Sequence, residues 1–278
     1  MTQNNRKNQT AYLIIDTEAV PNGELIKRVK YPDLAITAEE AVDRAMAEQR
    51  AESPKGSDFV NVGFQMPVCI AVARLNPDLE LLALGGECYQ NESGAATAFW
   101  KVINATDPQL AAGPEAKGYP GARLITFNGR GFDLPLMEEA AYRYGIQSKF
   151  YWDQRYGHRY RYGNLHIDLH EFFTNFGACR MAGGLDMHAK SVGAPGKSGT
   201  CGGDVLRLWR DGEFPRIAAY CMRDVLDTYL VFLRTRVIVG DIDMAKEAEI
   251  RHSLAEWLKK EGEGRKVFAE YLQDWRGK

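Results

Sequence analysis

The run YLIIDTEAV, residues 12–20, constrains the fold more than any other stretch of the chain. Residues 11–16 read as a fully buried strand, with apolar β-formers up to Ile15 and then an acid, Asp16. Glu18 follows two positions later. A strand repeats every two residues, so both carboxylates share one face. A single acid at a strand end is ordinarily a turn residue or a helix cap. Two on one face repel each other unless something positive lies between them.

The rest of the chain predicts an α/β fold, a central mixed sheet flanked by helices. Residues 37–51 form a helix opened by a capping box, Thr37 with Glu40. Residues 68–74 and 79–84 form a hairpin turned at Asn76-Pro77-Asp78. A helix over 93–104, a loop over 107–121, a strand over 122–127 and a helix over 133–144 follow. A short strand-like run over 165–169 comes next. From 204 onward the pattern is helical almost to the end. Three parts are expected: a disordered lead over 1–10, a main domain over 11–240 and a helical C-terminal extension over 241–278. Ile250, Leu254, Trp257 and Leu258 give the extension one apolar face, and Phe268, Tyr271, Leu272 and Trp275 another. These faces pack on the domain itself, or serve a homo-oligomer or a protein partner.

The five cysteines are widely spaced without a CxxC pair, which argues against disulfides and zinc ribbons and for a reducing cytoplasm. The polar N-terminus has no apolar segment of a secretory signal, and no run is long enough to span a bilayer. The net charge of −2 points to no nucleic acid. Charge is distributed unevenly, however. Segment 142–162 holds eight aromatics, five Lys or Arg and one acid, Asp153. That is the chemistry of single-strand binding, aromatic faces for bases and cations for phosphates, or else a mixture of core rings and solvated arginines.

Two further acids stand where burial is expected. Asp133 follows the strand 122–127 and the turn Asn128-Gly129-Arg130-Gly131-Phe132, and Asp224 lies inside a helix with Tyr220 four residues earlier on the same face. If Asp16, Glu18, Asp133 and Asp224 converge, their hard oxygens suit two divalent ions, Mg²⁺ or Mn²⁺, the device for in-line phosphoryl chemistry. Taken singly, Asp133 could merely start its helix and Asp224 could pair with Arg223.

Asp-x-Glu ending the first strand, Asn-x-x-x-Phe-Asp after a later one and Tyr-x-x-x-Asp in a late helix resemble the three motifs of the DEDD exonucleases. The tyrosine marks the DEDDy branch; Ala219 stands where the histidine branch has His. The stretches IDTEAVP, ITFNGRGFDLPLM, YWDQRYGHRYRYGNLHIDLHEFF, GLDMHAKSVGAPGK and IAAYCMRDVLDTYLVFLR run in family order across about 11–238. They are most similar to predicted 3′–5′ exonucleases related to the proofreading domain of B-family DNA polymerases. The resemblance implies a ribonuclease H-like fold and two-metal hydrolysis of terminal phosphodiesters. It also implies that Asp16, Glu18 and Asp224 bind the catalytic metal, that Asp16 and Asp133 serve the second, and that Tyr220 orients the attacking water. Asn128 and Phe132 would meet the terminal nucleotides, and Thr17 would contact substrate. Ala19 stands where many relatives have Thr.

GAPGKS at 193–198 is not a Walker loop, because Ser191 occupies the position of the first Gly and a helix-like run precedes it. Lys197 is expected to reach a substrate phosphate instead. His166 and Asp168 are expected to be structural, holding an edge strand and starting the next helix. The expectation is a stand-alone 3′–5′ exonuclease on DNA, preferring single strands or frayed ends. The alternatives are the same chemistry on RNA and a module that binds nucleic acid without cutting it.

Overall fold

A computed structural model describes residues 8–106, 121–155, 157–197, 199 and 201–276. Residues 107–120 of the expected loop 107–121 and most of the lead 1–10 lie outside the described residues. The described chain begins its sheet with β1 (Tyr12–Pro21), followed by helices α1 (Gly23–Lys30) and α2 (Ala38–Glu52). Strands β2 (Gln65–Leu75) and β3 (Leu81–Cys88), helix α3 (Glu92–Asn104), β4 (Arg123–Thr126) and α4 (Asp133–Tyr144) come next. Then follow α5 (Lys149–Trp152), β5 (His166–Asp168), α6 (Leu169–Thr174) and α7 (Gly184–Ser191). The chain ends in α8 (Val205–Arg210), α9 (Phe214–Ile238), α10 (Met244–Gly262) and α11 (Lys266–Arg276).

The sheet order is β3-β2-β1-β4-β5. β1 is antiparallel to β2, and β2 to β3, while β1, β4 and β5 run parallel. This is the expected α/β, ribonuclease H-like architecture, a mixed sheet with helices on both faces. Alternation along β1 divides the interior. Leu13 and Ile15 join the core under α3 and α4, whereas Ile14 joins the larger core under α9, α10 and α11. The C-terminal helices thus bury Ile250, Leu254, Leu258, Phe268 and Tyr271 in the same core as α9. Segment 22–61, between β1 and β2, encloses a smaller core of Ile26, Tyr31, Val42, Ala45 and Val60.

Local signals explain where elements start. Thr37 and Glu40 make the reciprocal capping box before α2. Pro215 stands in the first turn of α9, where a missing N–H costs nothing. One expectation is corrected: β1 does not end at Asp16. It continues to Pro21, and the ladder with β2 slips by one residue at a bulge between Glu18 and Ala19. The acids therefore sit within the central strand, and the alternation that buries Ile14 carries them along the same face toward α9.

Candidate active site

α9 can lie close over this face because small residues make room. A Cβ on Gly86 would stand 2.6 Å from Met222 Cγ and 3.3 Å from the Ala71 Cβ, its partner in the sheet. The helix brings Tyr220, Cys221 and Asp224 to the strand. Cys221 Sγ lies 3.2 Å from Asp16 Oδ2 and 3.3 Å from the Asp16 carbonyl oxygen. Donor atoms of Asp16, Glu18 and Cys221 fall within 4.8 Å of one another.

Asp133 arrives from the other side of β1. It is the first residue of α4, and its Oδ1 accepts from the Thr17 backbone N–H at 3.0 Å and from the Thr17 hydroxyl at 2.6 Å. Thr17 alternates with Asp16 and Glu18 and so faces α4 while they face α9. The turn before Asp133 is held by Asp168, whose carboxylate accepts from the backbone N–H of Asn128 at 2.8 Å, Arg130 at 2.9 Å and His170 at 2.9 Å. Asn128 has a positive φ of 66°, which redirects the chain out of β4. His166 Nε2 bonds the Thr126 hydroxyl at 2.9 Å. His166 and Asp168 thus hold the edge strand and cap α6, and Asp168 also pins the loop that carries Asn128.

The electrostatics are those of crowded acids. Burial, then Asp224 and Asp133, push the Asp16 carboxyl well above its usual range. Burial, then Asp16 and Asp224, do the same to Glu18. Burial raises Asp133 to about 6 against the opposing Thr17 hydrogen bonds, and burial raises Asp224 to about 6 against the nearby Lys197 charge. Arg223, adjacent in sequence to Asp224, is turned to Asp274 at 2.6 Å. Oxygen-rich, mutually repelling and short of cations, these residues fit a divalent metal far better than they fit one another.

Lys197 is exposed, and its Nζ donates to the Tyr220 hydroxyl at 2.9 Å. The loop carrying it is tied down twice: Lys197 N–H donates to Asp186 Oδ1 at 2.7 Å, and Gly196 N–H to Asp227 Oδ1 at 3.4 Å. Asp227 also accepts from the Tyr271 hydroxyl at 2.8 Å, so α11 buttresses the helix that carries Asp224. Burial and the Asp224 carboxylate raise the Tyr220 phenol, which is neutral at pH 7.

Sequence reasoning missed Cys221, Asp227 and Phe59. Asp227 had a signal, a second acid in the same helix one turn beyond Asp224. Phe59, more than half exposed, sets its ring 5.9 Å from that of Phe132, edge to face, and nothing in its local sequence marks it. Segment 142–162 divides: Tyr151 and His158 are buried, whereas Tyr142 and Tyr162 are open to solvent, and Arg159 lies over Trp152 while pairing with Glu138.

A mixed sheet whose central strand carries paired acids, faced by a helix bearing Tyr220 and Asp224, defines an α/β exonuclease fold. The chain belongs to the family of predicted 3′–5′ exonucleases related to the exonuclease domain of PolB, whose model matches residues 57–275. The matched span includes Asp133, Tyr220 and Asp224 and begins after β1. Because β1 lies between β2 and β4 in the sheet, that span needs residues 12–21 to complete its centre. None of the curated proteins matches the chain. Among the described residues no helix is long and apolar enough to cross a membrane.

Proposed function

We propose that the protein is a stand-alone, two-metal 3′–5′ exonuclease that removes nucleoside monophosphates from DNA, with single strands or frayed ends preferred. The observation that carries this reading is the meeting of Asp16 and Glu18 with Asp224 at the face of α9, with Asp133 fixed to the same strand through Thr17. Asp16, Glu18 and Asp224 would hold one divalent ion, and Asp16 and Asp133 would serve the other. Bound there, Mg²⁺ or Mn²⁺ would supply an acidified water and charge stabilisation for the leaving oxygen.

The remaining work belongs to the chain's own groups. Tyr220, neutral at pH 7, orients the attacking water and does not serve as its base. Lys197 donates to the phenol oxygen, so the Tyr220 proton is left to point away from the lysine. Phe132 and Phe59 offer two aromatic faces at the mouth of the site for a terminal base, with Asn128 beside them. The exposed rings of segment 142–162, Tyr142 and Tyr162 among them, offer further faces for bases. Beside the metal acids, Thr17 serves as a fixed donor to Asp133 and not as a substrate contact.

The test is end-labelled single-stranded DNA with Mg²⁺ or Mn²⁺, run beside Asp16→Ala and a matched RNA. Stepwise shortening from the 3′ end by the wild type, abolished in the variant, is expected. Equal shortening by both proteins, or none by either, overturns the reading. Faster shortening of RNA would reassign the substrate and leave the chemistry in place.

A further inference from the structure

Three cysteines meet beside the acids. Cys69 stands opposite Glu18 across β1 and β2, and opposite Cys88 across β2 and β3. Glu18, Cys69 and Cys88 therefore form a row across three strands, on the face covered by α9. Cys69 also shares its core cluster with Cys221, and Cys221 Sγ in turn contacts Asp16 Oδ2 at 3.2 Å.

The ladder makes the Cys69–Cys88 pair suitable for a covalent link. Tyr89 N–H donates to the Val68 carbonyl at 2.7 Å, so the hydrogen-bonded pair is Val68 with Tyr89, and the adjacent Cys69–Cys88 pair is the non-hydrogen-bonded kind. Such pairs bring their Cα atoms to about 4.5 Å with the side chains close. That spacing lies at the short end of the disulfide range of about 4.4–6.8 Å. β3 is an edge strand, and Cys88 on it is half-buried, the more exposed of the two. Cys69 and Cys221 are buried behind it.

We propose that Cys69 and Cys88 are a reversible redox pair, oxidised to a cross-strand disulfide by a peroxide, that lowers divalent-metal affinity at the adjacent acids. In the first step one sulfur of the pair, as its thiolate, attacks a peroxide oxygen, giving a sulfenic acid and one water. The other sulfur then attacks the sulfenic sulfur and expels the second water. Two thiols lose two protons and two electrons; hydrogen peroxide takes up both and becomes two waters. The new bond draws Cys69 toward β3 and away from Cys221. Cys221, the neighbour of Asp16, loses part of its packing against Cys69, and the strand opposite Glu18 is tethered at that level. Cys69 acts here as an outer support of the metal site, and the loss of such a support costs about tenfold in metal affinity at the low end.

The link itself is independent of the proposed nuclease activity; only its consequence rests on that reading. The full chain is treated with hydrogen peroxide, free thiols are blocked, and peptides are mapped without reduction. Mn²⁺ affinity is measured by calorimetry on the same samples. A Cys69–Cys88 peptide is expected in the wild type, cleared by dithiothreitol and absent from Cys88→Ser, with Mn²⁺ affinity about tenfold lower in the linked protein and restored on reduction. Cys88→Ala serves if the serine variant does not fold. No link, a link to Cys221 instead, or unchanged Mn²⁺ affinity in the linked protein overturns the proposal. A protein that links and loses Mn²⁺ affinity but cuts no nucleic acid refutes the nuclease reading alone.

Discussion

Thr17→Val separates a positioning role for Thr17 from a substrate contact. Valine keeps the shape and the backbone N–H that bonds Asp133 at 3.0 Å, and removes only the hydroxyl at 2.6 Å. A hydrogen bond to a charged acceptor is worth about 1.5–3 kcal/mol, and about 1.4 kcal/mol corresponds to one pKa unit. The Asp133 carboxyl, already raised to about 6 by burial, rises further once this support is gone. With a rise of about 1.5 units, the ionised fraction falls about fifteenfold at pH 6, about fourfold at pH 7 and hardly at all at pH 9. Mn²⁺ affinity measured by calorimetry across that range should show this graded loss, and the acid limb of nuclease activity should move up with it. Thr17→Ser, which keeps the hydroxyl, should follow the wild type. A substrate contact predicts a higher KM at every pH with the limb unmoved. That result, or a serine variant as impaired as valine, would refute the positioning role.

Asp16→Asn removes one charge from the crowded acids, so the metal-free protein should melt on the order of 5 °C higher at pH 8 while losing the stabilisation by Mn²⁺ expected of the wild type. Metal-free wild type should also lose stability as pH rises: Asp133, Asp224 and Asp227 are each raised to about 6, so their contribution is complete below the ordinary carboxylate value near 4 and lost on passing through 6. Thermal melts in chelator from pH 4 to 8 check this, and a flat or rising profile contradicts it. Lys197→Met should lower kcat by about a hundredfold through misplacement of Tyr220, with KM little changed. Steady-state kinetics decide, because a phosphate contact would raise KM instead.

The sequence made the elements and the acids legible for one physical reason: period. Alternation in β1 put Asp16 and Glu18 on one face, and helical spacing put Tyr220 and Asp224 on another. α4 starts at Asp133 and α9 carries its acid where those patterns place them. Boundaries were less legible. A charged residue inside an apolar run reads as its end, yet β1 passes through Asp16 because α9 supplies a polar seat there, and a pattern along one strand carries no information about the helix above it. The same limit explains the side chains. Thr17 and Lys197 have the right chemistry for substrate, but their partners lie 116 and 23 residues away, at Asp133 and Tyr220. Such pairings are fixed by strand order and helix crossing, which local sequence does not encode.

The two faces of β1 give the site its logic. On one face Asp16 and Glu18 meet α9; on the other Thr17 holds Asp133 of α4. A single central strand therefore sets the distance between acids that come from opposite layers of the fold. α9 carries Asp224 and Tyr220, so any motion of the helix over Gly86 moves them relative to Asp16. Lys197, through Tyr220, and Tyr271, through Asp227, oppose that motion. The repulsion among the acids and the bracing of α9 are two halves of one arrangement: the charges are kept close enough to demand cations, and the helix is kept from relieving the demand by drifting away.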